Sequence, residues 1–166
     1  MKKIFLLVAF ATTAFTQQPF AQDAKASSLP ALLSSYYEIK DALINSNSAG
    51  AAAHAGEFLK AINNLDPKSL PASDMSAFMG LKDKLAFDAR HMSESNDIAH
   101  QREHFTNFSI NIFKLAKAIK LTDKPVYYDY CPMKKSYWLS SDAAIKNPYF
   151  GSQMPACGTV ADVLNK

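Results

Sequence analysis

The feature that most constrains this fold is a change of sequence period at Pro125. Before Pro125, apolar side chains recur every three or four residues in four successive stretches, which is the pattern of amphipathic helices. Short connections rich in Asn, Ser and Pro separate these stretches, near Asn47, between Pro67 and Pro71, and between Ser93 and Asn96. Four helices with short connections predict an all-α fold, an up-down four-helix bundle over residues 29–124.

The remaining residues, 125–166, lose the helical period and predict a small irregular appendage with short strands. Aromatic residues dominate 126–130 and 137–139, which we expect to form two paired strands, with a third extended piece at 158–160. This segment contains both cysteines and the only tryptophan of the chain. We therefore expect a chemical site to involve this segment, supported by the helices.

The first residues have the pattern of a secretory signal peptide. Lys2 and Lys3 precede an apolar run from Ile4 to Ala11, and small residues follow up to Ala21. The apolar run is shorter than the roughly 20 residues of a membrane span, and no cysteine near the cut offers a lipid anchor. The sequence predicts a signal peptide over 1–21, a flexible leader over 22–28, one domain over 29–166, and a periplasmic or secreted location.

Net charge argues against several classes of partner. Removing the predicted signal peptide takes away two lysines and no acidic residue, so the formal charge falls from +3 to +1. A nearly neutral domain has no electrostatic attraction for nucleic acid or an anionic membrane surface. We expect neither as a partner.

Four sulfur-bearing side chains of the appendage have the spacing of a soft-metal site. Cys131 and Met133 share one side of an extended chain, and Met154 and Cys157 converge if the turn between them is helix-like. Thiolate and thioether ligands select Cu(I) over magnesium or calcium. The sequence therefore predicts a copper site formed by these four residues.

A disulfide between Cys131 and Cys157 explains the same cysteines. An exported protein with two cysteines most simply pairs them. Such a bond stabilises a fold by roughly 3 to 4 kcal/mol in the chain-entropy model, and the methionines would then only fill space. The residues alone leave both interpretations open.

All four histidines lie in the helical half, at positions 54, 91, 100 and 104. His100 and His104 are four residues apart, which is metal-ligand spacing on one helix face, although a solvated face explains the pair equally well. His91, His104 and His54 are placed to complete the sulfur site from the bundle side, or are boundary residues of the apolar faces. Our prediction is one mixed Cys/Met/His site where the appendage meets the bundle.

Several runs of the chain resemble a bacterial family, DUF3347. These runs are residues 36–40, 91–105, 130–133, 137–140, 145–154 and 157–158, and the Asn-Pro-Tyr-Phe-Gly sequence at 147–151 is the most specific. The family occurs as small exported proteins and at the C-terminus of periplasmic adaptor subunits of heavy-metal efflux pumps. The resemblance implies handling of copper or a related metal, with an efflux adaptor or pump as partner.

Two functions follow from these observations, and neither is enzymatic, since the sequence has no phosphate loop, nucleophile elbow or Cys-x-x-Cys motif. The first is a periplasmic metal-binding protein that acts as a Cu(I) carrier, buffer or efflux-associated module. The second is an exported helical interaction module with a Cys131–Cys157 disulfide and no metal. In the second, exposed Tyr128, Tyr149 and Phe150 would bind a partner, because aromatic residues are favoured anchors.

Overall fold

The computed structural model describes residues 29–165. The predicted signal peptide and leader lie outside these residues. The described chain has four helices followed by three strands: α1 Leu29–Ile44, α2 Ser48–Asn64, α3 Ala72–Ser93, α4 Ile98–Ala118, β1 Val126–Cys131, β2 Ser136–Ser140 and β3 Thr159–Leu164. Four helices in the predicted stretches are thereby confirmed.

Local capping explains where the helices begin. The Asn47 side chain accepts the backbone N–H of Gly50 at 2.9 Å before α2, and the Asp97 carboxylate accepts that of Ala99 at 2.8 Å before α4. Each bond satisfies one of the donors that a helix start leaves unpaired. Pro71 stands directly before α3, where its missing N–H costs nothing.

The core lies where consecutive helices pack, α1 on α2, α2 on α3 and α3 on α4. The largest side chains that the helices contribute to it are aromatic and fully buried: Tyr36, Phe58, Phe78, Phe105 and Phe108. Burying such a side chain stabilises the fold by about 1.5–3 kcal/mol. The Tyr36 hydroxyl is also satisfied, because it pairs with the Ser109 hydroxyl at 2.8 Å and accepts the Leu139 N–H at 2.9 Å.

The C-terminal strands form a three-stranded antiparallel sheet in the order β2-β1-β3. The strand β2 packs on α4, and its Trp138 and Leu139 side chains are both buried, on opposite faces of the strand. The all-α class therefore overlooks this sheet, although the two paired strands expected at 126–130 and 137–139 are present as β1 and β2. The fold combines four helices with a small sheet, because β2 closes the apolar face of α4. The up-down order of the helices stays a prediction.

Hydropathy places no membrane span in the described part of the chain. Each of its helices is either too short or too polar to cross a bilayer.

Candidate metal centre

Three histidines meet where the end of α3 lies beside the first turns of α4. One ring nitrogen from each of His91, His100 and His104 lies within 4.8 Å of the other two. The ring centroids of His91 and His104 are 4.5 Å apart, and those of His100 and His104 are 4.7 Å apart. An ion with metal–nitrogen distances of about 2.0–2.1 Å reaches all three after small side-chain rotations. All three side chains are half-buried.

The connection between α3 and α4 brings these rings together. His100 and His104 share one helix face because residues four apart are neighbours there. The amide of Gln101 fixes the turn before them, since its Nε2 donates to the carbonyls of Met92 and Ser95. The last turn of α3, with His91, is thus held against the first turns of α4.

A buried carboxylate orients one of the three rings. The Nδ1 of His104 lies 3.0 Å from the Asp88 Oδ1, and the Asp88 side chain is only 6% exposed. With Nδ1 donating to Asp88, the Nε2 of His104 is left as the atom for a metal. This is the carboxylate–histidine–metal arrangement of many metal sites.

Burial raises the pKa of the Asp88 carboxyl, although its hydrogen bond to His104 and the charges of His104 and His91 act in the opposite direction. The hydrogen bond to His104 thus offsets part of the cost of burying the Asp88 carboxylate.

An open cleft of about 440 Å³ adjoins the three histidines. Phe87 and Asp88 form the shared wall, because both line the cleft while Phe87 packs on His91, with centroids 4.4 Å apart, and Asp88 bonds to His104. The other lining residues are Asp83, Lys84, Asn107 and Asn111. The cleft therefore borders the histidine cluster through Phe87 and Asp88, and none of the three imidazoles lines it.

His54 lies in a different group. Its Nδ1 is 3.0 Å from the Glu57 carboxylate and 3.5 Å from that of Glu38. The structure thus places His91 and His104 in one group and His54 in another.

The two cysteines form a third group. The sulfur of Cys131, buried at the end of β1, is 3.7 Å from that of half-exposed Cys157, and both are free thiols. Met133 is 66% exposed and Met154 is 37% exposed. Within residues 29–165, no cluster of three potential ligand side chains combines either cysteine with a histidine or a carboxylate. The predicted mixed site is therefore divided, with its histidines and its thiols in separate groups.

One aromatic anchor of the interaction-module hypothesis is not available at the surface. Tyr149 is buried, and its hydroxyl donates to the Tyr137 carbonyl at 2.5 Å. Tyr128 is partly covered by Phe113, since their rings stack with centroids 3.5 Å apart. Exposure of Tyr149, as expected from the sequence, is therefore wrong, because this side chain belongs to the core.

One protein-family model matches more than half of this chain. The model of DUF3347, described as a protein of unknown function, matches residues 32–124. The chain belongs to this family. No curated protein and no solved structure matches this chain.

The DUF3347 match covers the helical half, and with it His91, His100, His104 and Asp88. It ends before β1, so both cysteines and the Asn-Pro-Tyr-Phe-Gly run at 147–151 lie outside the matched range. The family assignment is confirmed, but it rests on the helices and not on the run that the sequence comparison treated as most specific.

Sequence reasoning considered His100 only as half of a pair and missed Asp88. One signal for Asp88 was available, since it precedes His91 by three residues and so shares its helix face. The contact of Asp88 with His104 joins two helices, and periodicity within one helix does not report such a contact.

Proposed function

We propose that this DUF3347 protein is an exported copper-binding protein that holds the metal at His91, His100 and His104. It acts as a carrier, buffer or efflux-associated module in the periplasm. The main support is the convergence of three ring nitrogens within 4.8 Å of one another, one of them oriented by Asp88.

The chemistry of this ligand set favours copper among the divalent ions. Imidazole suits zinc, copper, iron and nickel, and within this series Cu²⁺ binds most tightly. The resemblance of the chain to the C-terminal domains of efflux adaptors supports the same metal. A partner from such a system agrees with the export signal predicted at residues 1–21.

Ligand number supports reversible binding over a structural role. Structural zinc sites are closed by four protein ligands, whereas exchangeable and catalytic sites keep a position open. Here three half-buried imidazoles converge, and within residues 29–165 no fourth histidine, cysteine or carboxylate joins them. A carrier or buffer needs this arrangement, because an acceptor's ligand must enter before the metal leaves.

Competition titration with Cu²⁺ tests this proposal. We expect one tight site in the mature protein and an affinity lower by about 100-fold or more when His91, His100 and His104 are all replaced by Ala, which exceeds the loss from an outer-shell change. His54→Gln is the matched control, since it removes an imidazole from a separate group, and we expect it to leave the tight site unchanged. Equal affinities of the wild type and the triple variant would refute the proposal.

Replacing Asp88 with Asn tests the orienting role of its carboxylate. We expect Cu²⁺ affinity to fall by about 10 to 100-fold, the usual cost of losing a partner behind a metal-bound histidine. Asp83→Asn is the control, because this exposed carboxylate lines the same cleft without contacting His104. If both variants lose affinity equally, the effect is one of general negative charge and not of the hydrogen bond.

A further inference from the structure

The free thiols of Cys131 and Cys157 form a pair that the histidine centre does not use. Their sulfur atoms are 3.7 Å apart, although the two residues are separated by 26 positions in the sequence. A ligand bound by this thiol pair would be additional to the proposed function, because that function rests on three histidines of the helical half.

The sulfur–sulfur distance suits a bridging metal ion. Two sulfurs bound at about 2.3 Å to a tetrahedral ion lie about 3.8 Å apart. The same two bonds in the linear geometry of a two-coordinate ion place the sulfurs about 4.6 Å apart, so the observed 3.7 Å must lengthen by up to about 1 Å if two thiolates alone hold the ion. A disulfide needs the sulfurs at about 2.0 Å, so forming one requires an approach of about 1.7 Å, a larger movement than binding an ion requires.

The loop after β1 directs hydrogen-bond donors at Cys131. The backbone N–H of Lys134 donates to the Cys131 sulfur, with a nitrogen–sulfur distance of 3.4 Å. Such donors stabilise a thiolate, which is the form that binds metal.

A second loop fixes Cys157 opposite Cys131. The Asn147 side chain donates to the Cys157 carbonyl at 2.6 Å, and its oxygen accepts the Tyr149 N–H at 2.8 Å. The Asn147 N–H donates to the Pro155 carbonyl at 2.8 Å. One buried side chain thus ties both ends of the segment that presents Cys157.

We propose that Cys131 and Cys157 bind one Cu(I) ion as two thiolates, at a second site separate from the histidine centre. Each thiol releases its proton when the ion binds, so no oxidant or reductant takes part.

Soft thiolates select Cu(I), and two of them suffice for this ion. Zinc sites use three or four nitrogen or sulfur ligands, and in the described part of the chain no third histidine, cysteine or carboxylate joins the pair. Met133 and Met154 lie two and three residues from Cys131 and Cys157 in the sequence. Both methionine side chains are exposed, so neither is packed in the core.

Anaerobic titration of the reduced mature protein with Cu(I), in competition with a colorimetric chelator, tests this site. We expect one Cu(I) per chain, protection of both thiols from iodoacetamide, and an affinity lower by about 100-fold or more in Cys157→Ser, as for loss of a direct ligand. Cys157 is half-exposed, so this variant avoids the folding risk of Cys131→Ser. Ser152→Ala, an exposed change in the same loop, is the matched control.

The triple histidine variant separates this proposal from the proposed function. We expect it to lose Cu²⁺ binding and to keep Cu(I) binding. If Cys157→Ser retains full Cu(I) affinity, or if both thiols still react with iodoacetamide when Cu(I) is bound, the thiol site is refuted. If Cu(I) is lost from the triple variant with its cysteines intact, the thiol site is likewise refuted and Cu(I) belongs to the histidine centre. Unchanged Cu²⁺ binding in that variant refutes the histidine centre alone.

Discussion

Replacing Trp138 with Ala is expected to lower the free energy of unfolding by about 3 to 5 kcal/mol, the usual cost of deleting a large buried aromatic side chain. Trp138 is fully buried on β2 and contacts Tyr149 edge-on, with ring centroids 6.1 Å apart. It also lies so close to Gly158 that a Cβ there would stand 2.7 Å from the indole. The surrounding backbone cannot easily fill the cavity that this substitution leaves.

Urea unfolding followed by far-ultraviolet circular dichroism measures this loss, since the substitution removes the only tryptophan. Trp138→Phe is the matched variant and should lose less stability, because its ring keeps part of the contact with Tyr149. We expect Cu²⁺ binding to persist in Trp138→Ala, since the histidines lie on other elements. A loss below about 1 kcal/mol would contradict close packing of the indole.

Replacing Asp129 with Asn is expected to remove a pH dependence from the stability of this protein. Asp129 is fully buried in β1, and within residues 29–165 neither of its carboxylate oxygens has a hydrogen-bond partner. Burial raises the pKa of this carboxyl from 3.8 to about 7, although the Lys40 ammonium acts in the opposite direction.

The sign of the effect follows from proton counting. Between about pH 4 and pH 7, the folded chain keeps the Asp129 proton that the unfolded chain releases, so the free energy of unfolding falls as pH rises. At 1.36 kcal/mol per pKa unit the full effect is roughly 4 kcal/mol. Above the folded pKa the whole cost of a buried charge is present, and an amide does not incur it.

Denaturant unfolding of the wild type and Asp129→Asn at pH 4.5 and pH 8 isolates this contribution, because other carboxyl groups affect both proteins equally. We expect Asp129→Asn to be the more stable protein at pH 8, with the difference shrinking at pH 4.5. Glu103→Gln, at an exposed position, should follow the wild type. If wild type and Asp129→Asn lose the same stability between the two values, Asp129 does not titrate in this range.

The helices were predictable because the spacing of apolar residues within each stretch is a local property of the sequence. The apolar residues that recur every three or four positions lie inward, as Leu32, Tyr36, Phe58 and Phe105 show, since all four are buried. This works because each helix must bury one stripe, whatever its neighbour is. The sheet was assigned to a minor appendage because its strands are short, and the sequence does not show that β2 closes the apolar face of α4.

The candidate site was harder to predict, because its contacts join separate elements. The i, i+4 spacing of His100 and His104 was visible, but the place of His91 depends on how α3 packs on α4. His54 was expected at the same site as His104, whereas its observed neighbours are Glu38 and Glu57. The sequence likewise brought Cys131 and Cys157 together without deciding between a bond and a bound ion.

Arg102 and Tyr36 connect the helices matched by the family model to the segment after residue 124, so we expect both parts to unfold as one cooperative unit. Arg102 on α4 donates to the Pro148 carbonyl at 2.8 Å and to that of Leu43 at 3.0 Å, while Tyr36 accepts the Leu139 N–H. A chain cut at residue 124, where the family match ends, keeps the Leu43 carbonyl but loses the Pro148 carbonyl and the Leu139 N–H, and it uncovers the face of α4 on which β2 packs. Proteins that share only the matched helices therefore need another segment, or another molecule, to cover that face.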